Sequence, residues 1–277
     1  MPQTILGYID LDSPIHRLTG ASKLICLLLC TMTVMLSYDT RILTAMLIFS
    51  MIVFKLSKVK FKDIAFVFYF ILAFLVLNNV AIFLFSPLQG VEIYGTKTVL
   101  FQITNRYVVT KEQLFYHLNI SLKYFAVIPI AILFMVATNP SEFAASLSKI
   151  GVSYKIAYAV AIALRYIPDV QRDYHDIAFA QQARGVDLSK KEKLSKRIKN
   201  ISSILVPLIF TSMERIETIS CAMELRAFGE KKKRTWYSEK SFKKADYIAI
   251  GIAVIFFVVS LGFTYMNGSR FYNPFIQ

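Results

Sequence analysis

The chain has 277 residues, of which 56% are hydrophobic and 18% charged, against roughly 45–50% and 25% in ordinary globular domains. Its mean hydropathy is +0.51, yet its net charge is +14, from 32 Lys+Arg against 18 Asp+Glu. A disordered chain, a disulfide scaffold and a water-soluble enzyme all fit this composition poorly, and a chain both oily and basic points to a lipid zone beside an anionic one.

In chain order, the first apolar run is 24–37 (LICLLLCTMTVMLS). Tyr38-Asp39-Thr40-Arg41 separates it from a second, 42–56, and the pair predicts a tight hairpin of two short spans. A second run following at once, with no small-residue cleavage pattern, argues against a secretory signal. The third run, 64–85, is a span by length alone. The stretch 86–113 is polar with β-branched and aromatic residues, which predicts a small hairpin outside the bilayer. A fourth run, 114–138, is interrupted by Lys123 and Pro129, and a last one covers 247–266. The expected fold is therefore all-α: a polytopic membrane protein of about five transmembrane helices with a helical domain between the fourth and fifth. The expected division is a membrane domain 1–138, a helical domain 139–245, and a last span with its tail, 246–277.

Lys55, Lys58, Lys60 and Lys62 crowd the link between the second and third runs, and about twenty of the 32 basic residues lie between Asn139 and Asp246. The stretch 86–113 has only Lys97, Arg106 and Lys111, and the tail has Arg270 alone. The positive-inside rule then places the N-terminus and the 139–245 block in the cytoplasm and the C-terminus outside.

Within that block, a short helix capped by Asn139 or Ser141 stops at Gly151. The stretch 154–167 is apolar nearly all round and precedes Pro168. An amphipathic helix, 169–184, ends at Gly185. A basic segment follows (Lys190, Lys191, Lys193, Lys196, Arg197, Lys199), and then a long helix from about Ser202 to Arg226. Ile177–Gly185 aligns with Ile219–Ala227 as a weak repeat, each a helix end with an Arg four residues after an Ala: Ala180/Arg184 and Ala222/Arg226. An Arg at a helix C-terminus suits the dipole, and its planar fork can grip a partner's carboxylates where Lys cannot.

At these residues the sequence resembles the transmembrane T component of energy-coupling factor transporters, ABC-type importers of vitamins and trace metals. That family carries Ala-Arg-Gly, or a close variant, at the ends of two coupling helices. Here the first copy is intact as Ala183-Arg184-Gly185, and the second, Leu225-Arg226-Ala227, keeps the Arg and departs at both neighbours. The segment SPIHRLTGASKL (Ser13–Leu24) is also similar to the family's opening pattern. The resemblance implies a non-catalytic scaffold in a bacterial cell membrane, in a complex with two ABC ATPase subunits and a membrane-embedded, substrate-binding S component for vitamins or related micronutrients. It assigns Ala183, Arg184, Gly185, Leu225, Arg226 and Ala227 to ATPase coupling. The apolar faces of 154–167 and 204–210 would hold the S component, with Tyr158, Ile162, Leu205, Leu208 and Ile209 as contacts. A dedicated cobalt or nickel importer is the alternative within the family.

No catalytic constellation is legible. His16, His117 and His175 are scattered, and Cys26, Cys30 and Cys221 suit packing better than a metal or redox role. Gly90–Thr98 misses the P-loop spacing by one residue. No cofactor or metal is expected of this chain, with ATP and Mg bound by the partner ATPases. The Lys190–Lys199 segment has no interleaved aromatics, so lipid headgroups or solvent fit it better than nucleic acid. A stand-alone secondary transporter would use Asn78, Asn79 and Lys123; the competing reading has the asparagines bonding neighbouring helices and Lys123 snorkelling. A lipid-active enzyme would have to draw on Asp169, Asp173, His175 and Asp176.

Overall fold

The computed structural model describes residues 8–9, 11–102, 107–186, 194–230, 236 and 240–275. They form α1 (Gly20–Leu36), α2 (Thr40–Leu56), α3 (Phe61–Phe85), α4 (Gln89–Tyr94), β1 (Val99–Gln102), β2 (Val108–Thr110), α5 (Lys111–Ala137), α6 (Pro140–Lys149), α7 (Tyr154–Ala183), α8 (Leu194–Leu225) and α9 (Lys244–Met266). The chain divides into two compact units: Met1–Glu142 with Lys240–Gln277, and Phe143–Glu239.

In the first unit the helix starts are fixed by side-chain caps that satisfy otherwise orphaned N–H groups. Thr19 accepts from the Ser22 N–H, Asp39 from the Arg41 N–H and Thr110 from the Gln113 N–H. Asp39 illustrates the balance of terms. Burial alone would raise its pKa, but hydrogen bonds from Arg41 and Asn267 hold the carboxyl below its usual range. α2 packs chiefly on α5 and α1 on α9, around Cys30, Val34, Leu43, Met46, Ala126 and Ala253. A second cluster joins Val59 and Ile64 to Ile132, Leu133 and Val136.

α3, α5 and α9 are long and apolar enough to cross a membrane. α1 and α2, at 17 residues each, span about 26 Å and sit at the lower limit for crossing. The protein is an all-α polytopic membrane protein, the small β1–β2 hairpin aside. α5 is the most enclosed of the three long spans, and α3 the least. Phe66 and Phe70 of α3 are 69% and 67% exposed, as a lipid- or partner-facing helix requires.

Two expectations change. The polar stretch 86–113 is a helix followed by a hairpin, because VEIY joins α4, whose Gly90 lies so close to the Glu112 backbone that a Cβ there would sit 2.5 Å from it. The second change is at Pro168. The apolar and amphipathic stretches expected on either side of it are one 30-residue helix, α7. Proline removes one backbone bond but leaves packing along the helix intact, and α8 lies along α7 through this region. α8 likewise runs through Pro207 and starts eight residues before the expected Ser202.

Asn79 and Lys123, among the intramembrane polar groups, have structural partners. His117 of α5 bonds Asn79 of α3 at 2.8 Å, while Gln113 lies 3.2 Å from its other ring nitrogen. Lys123 does not snorkel: it is buried, donates to the Met35 carbonyl at 3.2 Å, and lies 3.1 Å from the Tyr38 ring centroid.

Candidate functional site

The second unit is built on α7 and α8, and its candidate site is their two C-terminal tips. At the first tip the Val186 N–H donates to the Gln181 carbonyl and the Gly185 N–H to the Gln182 carbonyl, at 3.0 and 2.9 Å. This six-to-one and five-to-two pair is the Schellman close, with Arg184 as the capping residue and Gly185 beyond it at φ 85°. The second tip repeats it residue for residue. The Phe228 N–H donates to Met223 and the Ala227 N–H to Glu224, at 3.0 and 2.8 Å, with Arg226 in the capping place and Ala227 at φ 50°. The weak repeat in the sequence is therefore a repeat of geometry: Arg184 and Arg226 occupy equivalent positions. α6 closes the same way at Gly151 but with Ile150 in the capping place, so the close alone is generic and the arginine is what sets these two tips apart.

Each tip has a large exposed apolar side chain nearby. Leu225, adjacent to Arg226, is 89% exposed, and Phe179, five residues before Arg184, is 64% exposed. Arg184 and Arg226 are themselves exposed.

The two helices run antiparallel. Gln181 of α7 donates to the Ser203 carbonyl of α8 at 3.2 Å. Arg215 of α8 meets the Asp173 carboxylate at 2.8 Å and lies 5.7 Å from the Tyr166 ring centroid. Beyond the second tip, Phe228 packs edge-on against Tyr154 and tilted against Tyr158 near the start of α7, with centroids 5.6 and 4.8 Å apart. This register puts Arg184 and Arg226 at opposite ends of the pair, about 35 Å apart at 1.5 Å per residue.

The expected apolar contacts divide. Leu205 and Ile209 are exposed on α8 and continue into Met213 and Ile216 as one stripe. Leu208 is buried, which corrects its place among the surface contacts: it stands one turn after the buried Ile204 and shares its inward face, about 60° and 100° round the helix from Leu205 and Ile209. Tyr158 is half-buried under Phe228 and Trp236, and Ile162 is half-buried. Lys190, Lys191 and Lys193 lie outside the described residues, as does the run 231–234. Among the described residues no group of three or more His, Cys, Asp or Glu side chains is placed to hold a metal ion.

The family model described as "CbiQ: Cobalt transport protein" matches residues 12–237. The energy-coupling factor transporter transmembrane protein EcfT of Streptococcus equi subsp. equi is 30% identical over 268 residues, covering 92% of this chain and 94% of that protein. The chain belongs to the energy-coupling factor T component family. The EcfT proteins of Clostridium kluyveri, 30% identical over 93% of this chain and 95% of that protein, and of Staphylococcus aureus, 26% identical over 92% and 96%, match along essentially the same length.

In this T component, sequence reasoning found both arginines but missed what fastens the tips. Phe228 stands in the segment AMELRAFG that resembles the family's second motif, but its role follows from standing one residue past a left-handed Ala227. Asp173 drew attention only as a conceivable catalytic group, whereas it pairs with Arg215 of α8.

Proposed function

We propose that this chain is the coupling scaffold of a multi-subunit importer, transmitting ATP-driven movement of two ABC ATPase subunits to a membrane-embedded S component that carries a vitamin or related micronutrient. The chain contributes no catalysis; ATP and Mg belong to the ATPases. Arg184 and Arg226 each enter a groove on one ATPase, where a guanidinium grips carboxylates in two-pronged fashion. Phe179 and Leu225 supply the desolvated apolar contact that makes such a charge pair strong. The S component lies on the exposed stripe of α8 that includes Leu205 and Ile209. The α7–α8 block and the N-terminus are cytoplasmic, and the C-terminus is outside.

The observation that carries this reading is the equivalence of the tips: the same helix close presents the same residue at both ends of one antiparallel pair. A lever with two identical grips suits two similar partners that move relative to each other. A T component dedicated to cobalt has the family's printed description on its side, and the identity of the co-purifying S component distinguishes it. The test is mild detergent extraction followed by uptake assays. Wild-type chain should bring down two ATPase subunits, and Arg184→Glu with Arg226→Glu should abolish their association while leaving membrane insertion intact. Uptake that persists in the double variant, or transport by the isolated polypeptide, would refute it.

A further inference from the structure

A groove in the membrane unit has a composition that neither the helix packing nor the coupling reading uses. It lies between α2 and α9 and is floored by α1 and α5, with a volume of about 480 Å³. Its walls include Ile52, Leu56 and Ile248, all exposed, and its floor Cys30 and Leu133, both buried. The groove takes the last residues of α2 and α5 and the first of α1 and α9, so it is confined to one half of the bilayer. It runs along α2 from Leu56 to Phe49, about 10 Å, where Phe49 meets Phe256 of α9 with ring centroids 5.0 Å apart.

At the Leu56 end it opens into a second hollow of about 560 Å³, sharing Pro14, Ile52 and Leu56, whose lining is of a different chemistry: Asp12, Arg17, Lys55 and Lys58. Asp12 takes two hydrogen bonds from Arg17, at 2.8 and 2.9 Å, and Lys58 donates to the Asp12 carbonyl at 3.3 Å. One carboxylate against three cations leaves the mouth with a net charge of +2. Lys58 holds a left-handed backbone, φ 60°, just past the end of α2, a position where glycine is the usual residue. The chain thus keeps a cationic side chain at the mouth in a conformation that disfavours it.

We propose that this is a binding site for one anionic glycerophospholipid, with the phosphate at Lys55, Lys58 and Arg17 and an acyl chain in the groove. Both halves of the molecule are matched: a slot within one leaflet's depth that is apolar but for Lys23, whose ammonium is held by the His16 and Ala137 carbonyls, and a cationic mouth at its interfacial end, the pattern by which basic pockets between membrane helices select acidic headgroups. A neutral lipid would satisfy the groove and leave the mouth unused, and an apolar protein helix would bury the lysines without partners. The assignment is independent of the coupling reading, since none of these residues lies in α7 or α8.

The test is native mass spectrometry of the full transporter complex released from nanodiscs containing equal phosphatidylglycerol and phosphatidylcholine. Wild-type protein should retain one phosphatidylglycerol per copy of this chain in preference to phosphatidylcholine. Lys55→Gln with Lys58→Asn, the latter tolerant of the left-handed backbone, should weaken that retention about 25-fold, at roughly fivefold per lysine. Ala249→Phe, which fills the groove and leaves every charge in place, should also remove the lipid. Equal retention of the two lipids, or unchanged retention in the lysine variant, would overturn the proposal. So would a complex that retains no lipid and in which Ile248→Cys cross-links to another subunit, an outcome that would give the groove to a protein partner.

Discussion

At Ala227 the backbone holds φ 50°, a conformation that brings Cβ against the following carbonyl and disfavours every residue but glycine, most mildly Asn and Asp. Gly185, the equivalent position on the other tip, has φ 85° and open space where a Cβ would go. The two tips therefore differ by one local conformational term, and it can be exchanged. Ala227→Gly should stabilise the protein by about 0.5–1 kcal/mol, and Gly185→Ala should destabilise it by about 1 kcal/mol. In detergent-solubilised protein these correspond to opposite shifts of about 2 °C in thermal unfolding; shifts of the same sign would mean that something other than the left-handed turn sets the two ends. Arg184 was legible because charge at a helix end next to a glycine is a local pattern, and Arg226 because its segment aligns with that one. The left-handed alanine was not, since nothing in Leu-Arg-Ala announces a positive φ, and only the demand that α8 stop and send Phe228 back against Tyr154 and Tyr158 imposes it.

Along the helices, a local rule was the wrong guide at Pro168. It read as a boundary and lies inside a helix of 30 residues, whereas Pro207 was expected inside a helix and lies inside one of 32. One lost backbone bond is a local cost of about 3 kcal/mol, which contacts spread over the length of an antiparallel pair can offset. The contacts that set the register are few and nameable: Gln181 to Ser203, Asp173 to Arg215, and Tyr158 to Phe228. Residues 22 to 70 apart in sequence carry no signal that they meet, so the register was invisible beforehand even though both helices were expected. The Asp173–Arg215 pair is part-buried, with 24% and 31% of the two side chains exposed, and its coupling should be about 1 kcal/mol after allowance for screening. A double-mutant cycle with Asp173→Asn and Arg215→Gln, read by chemical denaturation, should recover that coupling; additive single effects would show that the pair contributes nothing to the register. A loosened register should also weaken ATPase-driven uptake more than ATPase association, because each tip is closed by its own helix and only the lever between them changes.

At the scale of the whole chain, the net charge of +14 separates into distinct roles. Arg17, Lys55 and Lys58 gather at the mouth of one apolar groove, Arg215 joins two helices, and Arg184 and Arg226 cap the two tips. Arg172 pairs with Asp169 and Lys240 with Glu142, and for the concentration of basic residues between 139 and 246 as a group a topological role is sufficient: lysines and arginines near span ends are retained on the cytoplasmic side. Three cysteines give a direct reading of that side. Cys30 is buried, Cys26 is half-buried in α1, and Cys221 is exposed on α8, one turn before Leu225. In a Cys26→Ala, Cys30→Ala background, a membrane-impermeant maleimide should therefore label Cys221 in inside-out vesicles and fail to label it in right-side-out ones. Moving the thiol to the exposed Ser269 beyond α9, with Cys221→Ser, should invert that pattern. The same accessibility for both thiols would require an even number of crossings between α8 and the tail, and α9, at 23 residues with a near-continuous apolar sequence, would then have to lie along the bilayer instead of through it.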